Sequence, residues 1–424
     1  MPILLGCIAD DFTGATDLAN NLVRSGMRVI QTIGVPDHPI AADVDAVVVA
    51  LKSRTIAPAE AIAQSLQALK WLQAQRAKQI YFKYCSTFDS TAQGNIGPVT
   101  EALMDALGTD FTIATSAFPD NGRTVFKGHL FVGDVLLSES GMQNHPLTPM
   151  HDANLVRVMQ AQTRRKVGLV DYVSVARGGP EIQACMATLK AHGVGVAIVD
   201  AVSNADLMRL GLALKGMPLV TAGSGVAIGL PQNFGIQPSA ASSALPPAGG
   251  LRAVISGSCS VATNAQVANF IQCGHAAWAL DPLQVAADAA AGKDLAADAL
   301  AWAAPLLAGG PVLVYSTAAP EAVKAVQERM GVEQAGALME RALSRIARGL
   351  VGLGVRQLVV AGGETSGACV QALGITQMQI GPQIDPGVPW CFALSEAAPT
   401  GLHLTLKSGN FGTQDFFTKA FNQL

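Results

Sequence analysis

Residues 45–84 read DAVVVALKSRTIAPAEAIAQSLQALKWLQAQRAKQIYFKY, and this stretch decides the fold. Residues 45–51 form a short apolar run rich in Val, the signature of a buried strand. Residues 58–77 carry a helical period, with Pro58 suited to a first turn and Ile62, Leu66, Leu69 and Leu72 on one face. Residues 79–84 return to a strand-like run. Strand, helix and strand in succession imply parallel sheet with helices packed against it.

The same alternation extends in both directions. Further strand candidates are 3–9, 28–34, 111–115, 167–170, 194–200 and 218–222, then 252–256, 311–315, 357–361 and 402–407. Between the two groups, residues 235–250 (GIQPSAASSALPPAGG) contain no charge and little periodicity, the pattern of a linker. A chain of 424 residues exceeds what one hydrophobic core usually organises. The expected architecture is therefore α/β with two domains, 1–235 and 251–424, joined by 236–250. Each is expected to be a mainly parallel sheet flanked by helices, with the active site in the interdomain cleft.

Composition narrows the function. Half of the residues are apolar (50%) and 14% are charged, which fits deeply buried sheet and not disorder. A net charge of -3 offers no electrostatic footprint for nucleic acid or an anionic membrane. The apolar run at 2–9 meets Asp10 and Asp11 too early for a signal peptide and lacks a basic leader. Residues 216–251 are uncharged, yet Pro218, Pro231, Pro238, Pro246 and Pro247 break them, so a membrane span is not expected. The seven cysteines include no C-x-x-C pair and read as reduced residues of a cytoplasmic protein. The seven histidines have no ligand spacing, so no dedicated transition-metal site is expected.

In open α/β sheets ligands sit beyond the carboxyl ends of strands, so the residues that follow each strand carry the information. The first strand ends in Asp10-Asp11-Phe12-Thr13-Gly14-Ala15 before a helix. Asp11 or Thr13 is read either as the helix cap or, with Asp10, as a contact to substrate hydroxyls or a proton. The strand at 45–51 runs into Lys52-Ser53-Arg54, and that at 79–84 carries Lys83 and leads to Ser86. Arg54 is read both as a guanidinium for a substrate carboxylate and as an ion-pair partner of Asp10 or Asp11. A later loop, Pro119-Asp120-Asn121-Gly122-Arg123, adds a further guanidinium. Together these residues describe a pocket for a small polyhydroxy carboxylate.

Four strand-to-glycine turns are suited to an anion: Gly223-Ser224-Gly225, Ser256-Gly257-Ser258, Ala361-Gly362-Gly363-Glu364-Thr365 and Lys407-Ser408-Gly409-Asn410-Phe411-Gly412. Glycine lets backbone amides approach phosphate, and helix starts supply unpaired N–H groups. No G-x-x-x-x-G-K-[ST] occurs, which excludes a Walker-type loop, and no G-x-S-x-G elbow occurs for a hydrolase. The Gly223 turn lacks the acid a dinucleotide ribose needs about twenty residues later.

The combination of Ile8-Ala9-Asp10-Asp11-Phe12-Thr13-Gly14-Ala15, Ser256-Gly257-Ser258, Gly362-Gly363-Glu364-Thr365-Ser366 and Lys407-Ser408-Gly409-Asn410-Phe411-Gly412 resembles the four-carbon acid sugar kinase family, in order and over essentially the whole chain. Many members read Lys-x-Asp-Ser-Thr-Leu-Arg-Gly-Asn after the fourth strand. Here Lys83-Tyr84-Cys85-Ser86-Thr87-Phe88-Asp89-Ser90-Thr91-Ala92-Gln93-Gly94-Asn95 and the segment Phe131-Val132-Gly133-Asp134-Val135-Leu136-Leu137-Ser138-Glu139-Ser140-Gly141 resemble the 3-oxo-tetronate kinase branch.

The resemblance implies an N-terminal substrate domain, a C-terminal ATP-binding domain, and phosphorylation of a 3-oxo-tetronate at O4. Asp10, Asp11, Arg54, Lys83, Ser86 and Arg123 are then expected at the sugar acid. Asp11, Arg54 and Lys83 would act on the reacting groups, Asp11 by orienting or deprotonating the hydroxyl. ATP is expected at Ser256, Gly257, Ser258, Val360, Ala361, Gly362, Gly363, Glu364, Thr365 and Gly409. Mg2+ is expected from the chemistry, held mostly by ATP itself, while Glu364 either orients a metal-bound water or only marks a helix start. Alternatives are a D-threonate or D-erythronate kinase, a nicotinamide-dependent sugar-acid dehydrogenase, and a non-enzymatic sugar-acid sensor. No nucleic-acid or membrane partner is expected, and a homo-oligomer is left open.

Overall fold

The computed structural model describes residues 3–40, 43–145, 148–318, 328 and 331–424; Pro2 of the leading apolar run lies outside them. The chain divides into two compact units between Ser243 and Ala244.

The first unit contains β1 (Leu5–Ala9), β2 (Val29–Ile33), β3 (Ala46–Ala50), β4 (Gln79–Lys83), β5 (Thr112–Thr115), β6 (Arg123–Phe126), β7 (His129–Val132), β8 (Val135–Leu136), β9 (Lys166–Val170), β10 (Val194–Val199) and β11 (Leu219–Ala222). Its main sheet has the order β2-β3-β1-β4-β11-β5-β10-β9, with every pairing parallel. Ala9 lies level with Ala50 and Lys83, so the residues that leave β1, β3 and β4 emerge side by side. Burial on both faces explains the unbroken apolar runs.

The helix after β3 spans Pro58–Ala74 and buries Ala61, Ser65, Ala68, Leu69 and Leu72. Ile62 and Leu66, expected on the buried face, are only half-buried. The sheet approaches closely here: a Cβ at Gly6 of β1 would lie 2.9 Å from the Cβ of Ala77 and 3.1 Å from Leu72. Small side chains therefore face the sheet. The small antiparallel sheet β6-β7-β8 was not legible as strands, because its members have two to four residues and turn at Lys127-Gly128 and Gly133, all at positive φ.

The second unit contains β12 (Leu251–Ser256), β13 (Ala277–Ala279), β14 (Val312–Tyr315), β15 (Val355–Ala361), β16 (Gln377–Asp385), β17 (Val388–Ser395) and β18 (Ala398–Lys407). Within this unit the strand order is β13-β14-β12-β15-β18-β17-β16. The first five strands are parallel, and β18, β17 and β16 form an antiparallel meander. The sequence pattern missed β13, β16 and β17: β13 has three residues, and Gly381, Pro382 and Pro389 interrupt the other two. Ser256 aligns with Ala361, and Ala361 with Lys407, so three glycine-rich turns leave the sheet at one level. Trp390, fully buried, anchors the core with Phe270, Phe416 and Phe417, and its indole N–H donates to the Ala420 carbonyl at 2.9 Å.

The 235–250 segment is tethered on each side of the division. In the first unit the Ser242 hydroxyl donates to the Val23 carbonyl at 2.8 Å. In the second, Gln379 donates to the Ala244 carbonyl at 2.8 Å, and His403 Nε2 lies 2.9 Å from the Pro246 carbonyl. Among the described residues no helix is long and apolar enough to cross a membrane.

Candidate active site

In the first unit the ends of β1, β3 and β4 converge as their register requires. Asp11 caps the helix Phe12–Arg24, accepting from the Gly14 N–H at 2.7 Å and the Thr13 hydroxyl at 3.2 Å. Asp10, almost fully buried, takes two hydrogen bonds from Arg54, Nε to Oδ2 and Nη2 to Oδ1, both 2.9 Å. Arg54 Nη2 also lies 3.0 Å from Asp11 Oδ1, and Nη1 is 3.8 Å from Asp89. Both sequence readings of Asp11 and of Arg54 thus have their structural half: cap and ion pair are present.

Electrostatics separates the two carboxylates. Burial pushes Asp10 upward against the pull of Arg54. Burial acts on Asp11 too, but Arg54, Lys83 and the Gly14 amide outweigh it and hold its carboxyl below the usual range. Lys83 is buried above Gly14, where an added Cβ would collide with both its Nζ and Asp11 Oδ1. A side chain at position 14 would therefore displace the Lys83 ammonium and the Asp11 carboxylate from their present positions.

Two residues that sequence reasoning did not single out complete this cluster. Asp17, fully inside on the helix Phe12–Arg24, accepts from the Ser224 hydroxyl and is pushed up to about 6 by burial. Asn95 donates through Nδ2 to the carbonyls of Ser53, Arg54 and Ile56, at 2.8, 3.2 and 2.9 Å, and so fixes the loop that presents Arg54. The sequence carried little signal for either: that Asp17 lies on a helix buried nearly throughout, and that Asn95 stands at a helix start without capping it, are visible only in the structure.

The β4 extension supplies polar atoms to the same cluster. Ser86 is buried, while the Thr87 hydroxyl is committed to Asp89 at 2.6 Å and contacts Cys85 Sγ at 2.9 Å. Burial raises the Cys85 thiol to about 11, which leaves it un-ionised. Arg123 donates to the Asn121 carbonyl, its Nε is buried without a partner, and burial lowers its pKa while Cys85, Asp17 and Asp89 act against that. The structure thus brings Asp10, Asp11, Arg54, Lys83 and Arg123 into one electrostatic cluster.

The Gly223-Ser224-Gly225 turn has a different use. Tyr81 donates to the Gly223 carbonyl, and a Cβ at Gly225 would strike the Ala117 carbonyl. Gly225 permits this close packing, next to the Ser224 that donates to Asp17.

In the second unit the other three glycine turns meet. The N–H groups of Gly257 and Ser258 both donate to the Ala361 carbonyl, at 3.0 and 3.3 Å, and the Gly362 N–H donates to the Lys407 carbonyl at 2.8 Å. Gly362 has φ +120, and a Cβ there would lie 3.2 Å from the Ser258 nitrogen. Gly363 opens the helix Gly363–Ala372, whose first turn has no side-chain cap, and it is exposed together with Glu364. Val360 and Ala361 are buried in β15, and Thr365 is buried beneath the turn. A Cβ at Gly409 would stand 2.5 Å from Ser258 Oγ. The uncapped amides of this helix start, beside the tight backbone at Gly362, could hold an anion.

Comparison with known proteins agrees with this division. Residues 5–230 match a sugar-binding N-terminal domain, and residues 253–417 match a nucleotide-binding C-terminal domain. Over 99% of this chain and 97% of each relative, it is 59% identical to a 3-oxo-tetronate kinase of Burkholderia multivorans and 58% identical to one of Pseudomonas fluorescens. A solved Haemophilus influenzae protein is 47% identical with a TM-score of 0.78, covering 98% of this chain and 99% of its own. A Salmonella typhimurium LT2 protein, described as a putative tRNA synthase, is 43% identical with a TM-score of 0.85, covering 99% of both chains.

Proposed function

This chain belongs to the four-carbon acid sugar kinase family, and from that premise we propose how its residues carry out the reaction. It is an ATP-dependent kinase that phosphorylates the 4-hydroxyl of a 3-oxo-tetronate, giving the 3-oxo-tetronate 4-phosphate and ADP. The observation that carries this reading is a division of chemistry. One unit gathers cations and carboxylates at the ends of β1, β3 and β4, and the other gathers glycine-rich turns at the ends of β12, β15 and β18.

Phosphoryl transfer is catalysed mainly by positioning and charge stabilisation. Lys83 and Arg123 supply positive charge for the substrate carboxylate and the transferring group. Asp11, kept ionised by Arg54 and Lys83, accepts a hydrogen bond from O4 and so aims its lone pair; a depressed pKa suits orientation better than early proton removal. Arg54 holds Asp10 and Asp11 in place. Ser86 is the hydroxyl donor nearest in role to the 3-oxo oxygen, since Thr87 is committed to Asp89.

The ATP phosphates are held by the backbone N–H groups of the uncapped helix start at 363–365 and of the Gly409 turn, while Ser256–Ser258 and 360–362, whose Gly257, Ser258 and Gly362 amides are taken by backbone carbonyls, shape the site around them. Among the described residues no group of three His, Cys, Asp or Glu side chains is arranged to hold a metal ion. The Mg2+ that such chemistry uses would be held mostly by the ATP phosphates and water, with Glu364 in the exposed first turn as the carboxylate that orients a metal-bound water. Mg2+ neutralises phosphate charge when bound. All seven cysteines are free, in keeping with a reducing cytoplasmic location.

A coupled ADP-release screen over 3-oxo-tetronates, D-threonate and D-erythronate tests the reading. ATP-dependent turnover of a 3-oxo-tetronate is expected. Turnover of the plain tetronates alone would move the chain to another branch, and no ADP release with any acid would overturn the kinase reading.

A further inference from the structure

We propose that Lys407 is a positioning residue for the nucleotide: its ammonium draws the carbonyls of the 408–411 turn inward and thereby turns the amides of that turn toward ATP phosphate. The inference rests on the reading of the Gly409 turn as part of the phosphate site.

Lys407 is fully buried at the end of β18. Its Nζ lies 3.0 Å from Thr263 Oγ1, 2.9 Å from the Ser408 carbonyl, 3.0 Å from the Gly409 carbonyl and 3.1 Å from the Phe411 carbonyl. An ammonium has three protons, so these four acceptors occupy all of them. Lys407 is therefore not a lysine that reaches out to a phosphate. Burial pulls its pKa down to about 7, and where it is protonated its charge acts on the backbone.

The consequence follows from peptide planarity. In a trans peptide the C=O and the following N–H point in opposite directions. With the Ser408 and Gly409 carbonyls aimed at Nζ, the N–H groups of Gly409 and Asn410 point away from it. The Phe411 carbonyl does the same for the Gly412 N–H, while the Phe411 N–H closes the turn onto the Ser408 carbonyl at 3.1 Å. Successive outward amides form an anion-binding nest. Each of these carbonyls keeps at least one other donor without the ammonium, namely the Phe411 N–H for Ser408, Ser260 and Thr263 for Gly409, and the Gln266 amide for Phe411. What is lost is the single positive charge that draws all three oxygens to one point, and the turn would loosen as they separate.

A second set of contacts ties this turn to the rest of the cradle. The Gly409 carbonyl also accepts from Ser260 Oγ at 2.5 Å and Thr263 Oγ1 at 2.8 Å. Ser260 caps the helix Val261–Gln272 that follows the Ser256-Gly257-Ser258 turn. Lys407 and Thr263 thus hold the last turn against the first.

The test compares wild type with Lys407→Met, which keeps the aliphatic stem, and Thr263→Val, which removes one hydroxyl partner. ADP release gives the KM values for ATP and for 3-oxo-tetronate; calorimetry with a non-hydrolysable ATP analogue gives affinity. Lys407→Met is expected to raise KM for ATP by about tenfold or more, and Thr263→Val by a smaller factor, with the acid-sugar KM little changed. A folded Lys407→Met variant with wild-type KM for ATP overturns the proposal, as does equal weakening toward both substrates. If Lys407→Met fails to fold, Thr263→Val decides, and unchanged analogue affinity in it overturns the proposal. Failure of the kinase reading is a separate result, seen in wild type as absence of ADP release, while analogue calorimetry still reads the positioning role.

Discussion

Arg54 grips Asp10 through two hydrogen bonds of 2.9 Å, and the same guanidinium touches Asp11 at 3.0 Å. One side chain therefore locks two adjacent carboxylates, burying the first and leaving the second partly open. Asn95 secures the loop from behind. The fork geometry requires arginine, because an ammonium cannot reach both Asp10 oxygens in parallel.

Arg54→Lys keeps the charge and loses the fork. The expected result is a fall in kcat/KM for the acid sugar of about ten- to a hundredfold, with KM for ATP near wild type. Arg54→Ala should also lower stability by about 3 kcal/mol, the lower end for a broken buried pair, since the side chain is 22% exposed. Steady-state kinetics and urea melts check both. A lysine variant with wild-type kinetics and only a lower Tm would make Arg54 purely structural.

Asp17 sets a pH dependence. Burial lifts its folded pKa from 3.8 to about 6, so the fold favours the protonated form. Its contribution to stability is fully present below about pH 4 and is lost as pH rises through about 6, by on the order of 3 kcal/mol. Asp17→Asn retains an acceptor for Ser224 and never ionises. It should be more stable than wild type at about pH 8, with the advantage reduced to about half near pH 5. Urea unfolding at the two pH values measures this; a constant difference would remove Asp17 as the source.

Gly363 stands exposed at the first position of an uncapped helix. Gly363→Val places a branched side chain where a phosphate would lie. ATP-analogue binding should be lost by calorimetry while the melting curve is retained. Full affinity in the folded variant would remove this turn from the nucleotide site.

Substrate choice follows from donor geometry. A 3-oxo oxygen accepts hydrogen bonds and donates none, whereas the 3-hydroxyl of a plain tetronate does both. A buried donor such as Ser86 meets the ketone correctly and the hydroxyl in poorer geometry. The ratio of kcat/KM for 3-oxo-tetronate over D-threonate or D-erythronate is expected to reach at least about a hundred. Equal turnover would refute this account of discrimination.

The sequence by itself determined the sheet type, most of its strands and the turns that matter, because hydrophobic periodicity and glycine placement are local properties. Val-rich β3 and the helical run after it were legible without any partner. So was the list of strand ends, from Asp10 and Arg54 to Gly362 and Gly409. The short parallel strand β13 and the interrupted antiparallel strands β16 and β17 were not, since too few residues repeat to reveal a period.

Only the tertiary structure decided which chemistry each listed residue is free to do. The pairing of Ser224 with Asp17 joins positions 207 residues apart, and Lys407 meets Thr263 across 144. Contacts of that kind depend on which strand lies beside which, and on the exclusion of water once they meet. A motif can list Lys407 beside a glycine turn; burial and four converging oxygens are what commit its charge to the backbone.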